Sequence, residues 1–156
     1  MNIFLNKKIL IYGLGKTGLA AFKFLKKKSN VSTYDDYSSN IKNLIVKKSL
    51  VSYRKIFKIK FDLIIISPGI DIHNCKLSKF LKKNRKKIYS DLDVFYSFYK
   101  NDSITITGTN GKSTTCQLMY EVLSKQKFDV KLVGNIGNPI LSVRKVKKKT
   151  IFVIEA

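Results

Sequence analysis

Short apolar runs of strand length alternate along this chain with stretches whose apolar residues recur at helical spacing. "KILIYG" (Lys8 to Gly13) is a continuous apolar run, the pattern of a strand covered on both faces. In the "TGLAAFKFLKKK" that follows, Leu19, Phe22 and either Phe24 or Leu25 share one helical face. Its lysines come late, where they suit the negative end of a helix dipole. "VSTYDD" predicts a second strand, "SLVSY" a weaker third and "FDLIIIS" a strong fourth. "KLSKFLKKN" reads as a helix, "KKIYS" as a strand and "DLDVFYSFYK" as a helix opening on acidic residues. Then come a strand in "SITITG", a helix in "KSTTCQLMYEVLSKQ" and strands in "FDVKLVG" and "TIFVIEA". This alternation predicts an α/β fold on parallel sheets.

The polar break "YKNDS" separates a helix from a fresh strand-turn-helix unit, which predicts domains at 1–100 and 101–156. The second has about three strands and one clear helix, too little for a comfortable core of its own. The sequence stops inside the apolar "FVIEA", so 101–156 is expected to be the incomplete start of a larger domain.

Composition narrows the class. Hydrophobic residues are 44% of 156, enough for a core, and no apolar run approaches the ~20 residues of a membrane span. The N-terminus has no apolar stretch with a small-residue cleavage site, and Cys75 and Cys116 match no metal spacing. Reduced thiols in a cytoplasmic protein follow, with no membrane partner. The net charge of +21 invites a nucleic-acid reading. However, only Arg54, Arg85 and Arg144 of the 31 basic residues are arginine, and the charge is spread over the whole chain. Base recognition leans on arginine, so no dedicated nucleic-acid role is expected.

The chemistry lies in the turns. "GLGKTG" (Gly13, Leu14, Gly15, Lys16, Thr17, Gly18) fits G-x-G-x-x-G between a strand and a helix. Its first glycine permits the turn, its second lets a ligand approach and its third lets helix and strand pack. A diphosphate there would meet unpaired helix N–H groups. Asp35 ends the next strand where a carboxylate of a Rossmann-like domain meets a ribose, and Ser67, Pro68 and Gly69 of "SPGI" end the strongest strand. Both would face the same crevice beyond the carboxyl ends of the strands.

"TGTNGKST" departs from the Walker formula G-x-x-x-x-G-K-[ST], because the position six before Lys112 is Ile106. It keeps the strand-loop-helix layout with two residues fewer between its glycines. Gly108 and Gly111 let backbone N–H groups point at phosphate oxygens, Lys112 supplies charge, and Ser113 or Thr114 offers a hydroxyl for Mg2+. Glu155, at the tip of an apolar strand, could hold that metal opposite Ser113 or simply be an exposed terminal acid. "GNIGNP", with Asn135, again follows a strand.

Together these motifs resemble the Mur ligases, the ATP-dependent amino-acid ligases of peptidoglycan precursor synthesis, in order and spacing over essentially the whole chain. "TGTNGKST" is similar to that superfamily's short phosphate loop. The folylpolyglutamate synthetases carry a further glycine after the lysine, absent here. Within the family, "GLGKTG", "SPGI", "GTNGKST" and "GNIGNP" look most like the D-glutamate-adding members; the L-alanine-adding ones have a histidine in the loop and no "SPGI".

The resemblance implies a Rossmann-like domain followed by the start of a P-loop ATPase domain. It implies ATP and Mg2+, with UDP-N-acetylmuramoyl-L-alanine and D-glutamate as substrates. ATP would phosphorylate the substrate carboxylate, and the amine of D-glutamate would attack the acyl phosphate. Gly108, Thr109, Asn110, Gly111, Lys112, Ser113 and Thr114 would cradle ATP. Lys112 and Glu155 would be catalytic, and Ser113 and Glu155 would hold the metal. Residues 13–18 and 67–69 would hold the diphosphate, Asp35 and Asp36 the uracil end, and Asn135 the muramoyl substrate or the metal's surroundings. The family's second-metal histidine and modified lysine, and its C-terminal domain, have no counterpart in this sequence. The chain is therefore expected to be a monomer that binds without ligating alone. The other readings are a nucleotide-binding remnant, an NAD-dependent oxidoreductase built on "GLGKTG", and a nucleic-acid binder.

Overall fold

The computed structural model describes residues 2–37 and 44–156, in two compact units, Met1–Phe98 and Tyr99–Ala156. In the first unit β1 (Lys8–Tyr12) is the second strand of a four-stranded parallel sheet, with β2 (Asn30–Tyr34), β3 (Leu63–Ile66) and β4 (Ile88–Tyr89) in the order β2-β1-β3-β4. The apolar runs of β1 and β3 are covered on both faces: Ile9, Leu10, Ile11 and Ile64 have no exposed surface. Each contributes roughly 1.5–3 kcal/mol by leaving water.

The crossovers are α1 (Lys16–Leu25), α2 (Leu44–Lys47), α3 (Tyr53–Ile56) and α4 (Ser78–Lys83), and α5 (Asp91–Phe98) closes the unit. In α1, Phe22 and Leu25 are buried while Phe24 packs edge-on against Phe98. The acidic start of α5 forms a reciprocal cap. Asp93 Oδ2 accepts from the Ser90 N–H at 2.7 Å, and Ser90 Oγ accepts from the Asp93 N–H at 3.2 Å.

The predicted third strand, "SLVSY", is reduced to one parallel pair. The Ser49 carbonyl and Val51 N–H bracket Thr33, and Leu50 pairs with it. Ser52 is already the N-cap of α3, so the chain turns into a helix before a second pair can form.

The second unit is a three-stranded parallel sheet, β5 (Ser103–Ile106), β7 (Ile151–Glu155) and β6 (Val130–Gly134), in the order β5-β7-β6. One face is covered by α6 (Lys112–Lys125), through Cys116 against Val130 and Val153. The entry to β7 is fastened by polar groups. Buried Thr150 donates to Asp129 at 2.6 Å, and Asn101 Nδ2 donates to the carbonyls of Lys147, Lys148 and Thr150. Among the described residues no helix is long and apolar enough to cross a membrane.

Candidate functional site

Strand register decides which turns meet. In the first unit Tyr12 is level with Tyr34 and with Ile66, so β1, β2 and β3 end together and release Gly13, Asp35 and Ser67 on one edge. The Gly13 N–H donates to the Tyr34 carbonyl at 3.0 Å, and Ser67 Oγ donates to the Gly13 carbonyl at 2.8 Å. "SPGI" therefore does structural work, holding the glycine-rich turn through Ser67, while Pro68 and Gly69 remain exposed beside it.

The three motif glycines differ as their positions require. A Cβ on Gly18 would lie 1.8 Å from the Gly13 carbonyl oxygen, so that residue serves helix-strand contact. Gly15, exposed and the N-cap of α1, has nothing among the described residues within 4 Å of such a Cβ. The open position is the one where a ligand can approach, followed by the first N–H groups of α1 at Lys16, Thr17 and Gly18.

The two aspartates are engaged by the chain itself. Asp35 Oδ2 accepts from the Leu14 N–H at 2.6 Å and Oδ1 from the Tyr37 N–H at 2.8 Å, which stitches the glycine turn to the end of β2. Asp36 Oδ2 accepts from the Tyr12 hydroxyl at 2.8 Å, while its buried Oδ1 has no partner among the described residues. Burial, with the Asp36 carboxylate beside it, pushes the Tyr12 phenol up and the Tyr34 phenol up to about 12. Tyr12 is fully buried and supports the edge from beneath through Asp36, a role that motif reading missed. Its one signal is a polar-tipped side chain closing an otherwise aliphatic strand.

In the second unit Glu155 is level with Ile106 of β5 and Gly134 of β6, so the central strand presents its carboxylate at the edge where the loop from Gly108 to Ser113 begins. Gly108 (φ +145°) and Gly111 (φ +74°) shape that loop, and Gly111 is the N-cap of α6. Thr109, Asn110, Gly111 and Thr114 are exposed. The Lys112 ammonium donates to the Gly108 carbonyl within the loop.

Ser113 Oγ lies 3.2 and 3.1 Å from the two Glu155 carboxylate oxygens, and Glu155 is 7% exposed. The sequence-predicted metal pair is thus brought together from 42 residues apart. Asn135 follows directly, its backbone N–H donating to the Glu155 carbonyl at 3.2 Å. Gly134 is needed there: its φ is +112°, and a Cβ would fall 2.2 Å from the Glu155 carbonyl oxygen. The motif reading of "GNIGNP" fixed on Asn135 and missed this contact.

Both units thus place glycine-rich turns at the carboxyl ends of parallel strands, the arrangement of an α/β protein whose ligands sit at the sheet edge. Residues 7–88, more than half of the chain, match the Mur ligase MurD-like N-terminal domain, and residues 106–156 match the Mur ligase middle domain. The chain belongs to the Mur ligase family.

Among its relatives is the UDP-N-acetylmuramoylalanine--D-glutamate ligase of Rickettsia bellii. It is 34% identical over 151 residues, covering 94% of this chain and 33% of the relative. The enzyme of the same name from Buchnera aphidicola subsp. Schizaphis graminum is 37% identical over 160 residues, covering 97% of this chain and 35% of the relative. The chain therefore spans about a third of the length of the curated relatives it matches.

Proposed function

We propose that this chain is the substrate-binding and phosphate-binding part of a ligase that adds D-glutamate to UDP-N-acetylmuramoyl-L-alanine at the expense of ATP. In this reading 1–100 binds the UDP-sugar and 101–156 begins the ATP-binding domain, in a cytoplasmic monomer. The observation that carries it is the Ser113–Glu155 pair at the mouth of the short phosphate loop.

The donor set suits Mg2+. A hydroxyl and a carboxylate are hard oxygen ligands, and among the described residues no group of three or more His, Cys, Asp or Glu offers a softer alternative. When bound, the ion would neutralise phosphate charge and withdraw electrons from the transferring group. Ser113 and Glu155 would hold it.

The chain's own residues do the rest. The loop from Gly108 to Thr114 binds the triphosphate through backbone N–H groups. Lys112 exchanges the Gly108 carbonyl for phosphate oxygens and stabilises the charge that builds as the γ-phosphoryl group moves to the substrate carboxylate. Gly15 and the first N–H groups of α1 hold the diphosphate of the UDP-sugar. Asp35 keeps the Leu14 turn in shape, and Asp36, braced by the hydroxyl of buried Tyr12, borders the nucleoside end of the edge. Asn135, fixed through its backbone to Glu155, borders the metal pair.

The test is phosphate release by the polypeptide encoded in the reading frame that contains these residues. Release should require both UDP-N-acetylmuramoyl-L-alanine and D-glutamate, and Lys112→Ala should lower it by about a hundredfold or more. Release that ignores D-glutamate, or that survives Lys112→Ala, refutes the reading.

A further inference from the structure

The first unit also has a cavity of about 770 Å3 whose lining, among the described residues, runs from Ile72 to Ile88. None of residues 13–18, 35, 36 or 67–69 lines it, so it is separate from the glycine-rich edge. Its volume falls within the roughly 300–1,000 Å3 of small-molecule sites.

Two features distinguish it from the general basic surface. Histidine occurs once in this chain and arginine at only three positions, yet His73 and Arg85 both line this cavity, with Lys79 and Lys82. Lysine enrichment puts point charges anywhere; it does not supply the planar fork of donors with which a guanidinium takes two oxygens of one phosphate. Among the described residues no carboxylate lines the cavity, and neighbouring Asp71 is engaged by Asn74 Nδ2 at 2.7 Å and by the His73 N–H at 2.9 Å. Ile72, 39% exposed, and half-buried Ile88 add apolar surface to the same lining. Charge alone would suit any anion, whereas charge beside exposed apolar surface suits an anion with an apolar body.

We propose that this cavity binds a small phosphomonoester with an apolar body. Arg85 and Lys82 take the phosphate, and Ile72 and Ile88 cover the apolar part. The site is independent of the nucleotide-type edge.

The probe is 1-naphthyl phosphate, titrated into the 156-residue chain at about 0.15 M salt, where long-range attraction is screened. Binding is read by calorimetry and by backbone amide shifts. Shifts should centre on residues 72–88. Affinity should exceed that for inorganic phosphate, and for 1-naphthol, by about tenfold or more, as each part-ligand forfeits one set of contacts. Lys82→Ala with Arg85→Ala, both exposed positions, should weaken binding about tenfold. Arg85→Lys, which keeps the charge, should give part of that loss. Removing the same charge at Lys148 and Lys149 should change it less than about twofold. Saturating UDP should leave the titration unchanged. No response up to millimolar probe, equal losses in the two double variants, or displacement by UDP would each overturn the proposal.

Discussion

Gly18→Ala tests the glycine-rich edge most sharply, because its outcome is set by one contact. The added Cβ would lie 1.8 Å from the Gly13 carbonyl oxygen and 2.9 Å from Ser67 Oγ, so β1 and α1 must separate by more than an ångström. Overpacking against backbone costs about 3 kcal/mol, the upper end of the usual range. The Gly13 carbonyl is also the acceptor of the Ser67 hydroxyl, and moving it forfeits about 1 kcal/mol more. Better helix propensity returns about 1 kcal/mol. The net expectation is about 3 kcal/mol, a large part of the ~5–15 kcal/mol that holds a domain folded. Gly15→Ser is the counterpart. Its Cβ meets nothing among the described residues within 4 Å, and serine caps a helix at least as well as glycine, so stability should stay within about 0.5 kcal/mol of the parent. Urea titration followed through the amide signals of Ile9–Tyr12 reads this unit directly. UDP-sugar affinity should behave oppositely in Gly15→Ser, falling about tenfold as the hydroxymethyl group occupies ligand space. A Gly18→Ala protein within about 1 kcal/mol of the parent, or a Gly15→Ser protein equally damaged, would refute the assignment of packing to one glycine and ligand approach to the other.

Three further outcomes follow from the geometry. Ser113→Ala and Glu155→Gln should each weaken Mg2+-dependent ATP binding about tenfold while leaving metal-free nucleotide binding nearly unchanged, by calorimetry with and without chelator. The Tyr34 phenol is pushed from 10.0 up to about 12 in the folded state, so the folded protein holds a proton that the unfolded chain has lost. Stability should therefore fall as pH rises from about 10 towards 12, less steeply in Tyr34→Phe; parallel urea midpoints in the two proteins would contradict this. Cys116 has no exposed surface, and burial with Glu155 nearby pushes its thiol up. Iodoacetamide at mild alkaline pH should accordingly modify half-buried Cys75 first, as mass spectrometry of peptides would show.

Much of the fold was legible because strands covered on both faces are written as unbroken aliphatic runs. β1, β3 and β7 announced themselves in "KILIY", "LIII" and "IFVIE". "SLVSY" misled because a mixed pentapeptide carries no such signal, and the helix start at Ser52 overrode it. The Ser113–Glu155 pairing was legible as an expectation because a carboxylate at the tip of an apolar strand is chemically out of place. Contacts that depend on register were not legible. Nothing local in the sequence says that Gly134 lies against the Glu155 carbonyl, or that the Asp35 and Asp36 carboxylates are taken by the Leu14 N–H and the Tyr12 hydroxyl. The cavity beside α4 was equally invisible, since its lining gathers residues that belong to no motif.

In the proposed function the glycine-rich edge of the first unit takes a UDP-sugar and not a dinucleotide. The direct measurement is paired calorimetric titration of the chain with UDP-N-acetylmuramoyl-L-alanine and with NADH, amide shifts locating each ligand. Saturable binding of the UDP-sugar is expected, competed by UDP, with shifts at Gly13–Gly18 and Ser67–Gly69 and no competition from NADH. Silence up to millimolar UDP-sugar, or NADH binding at those same amides, would contradict it.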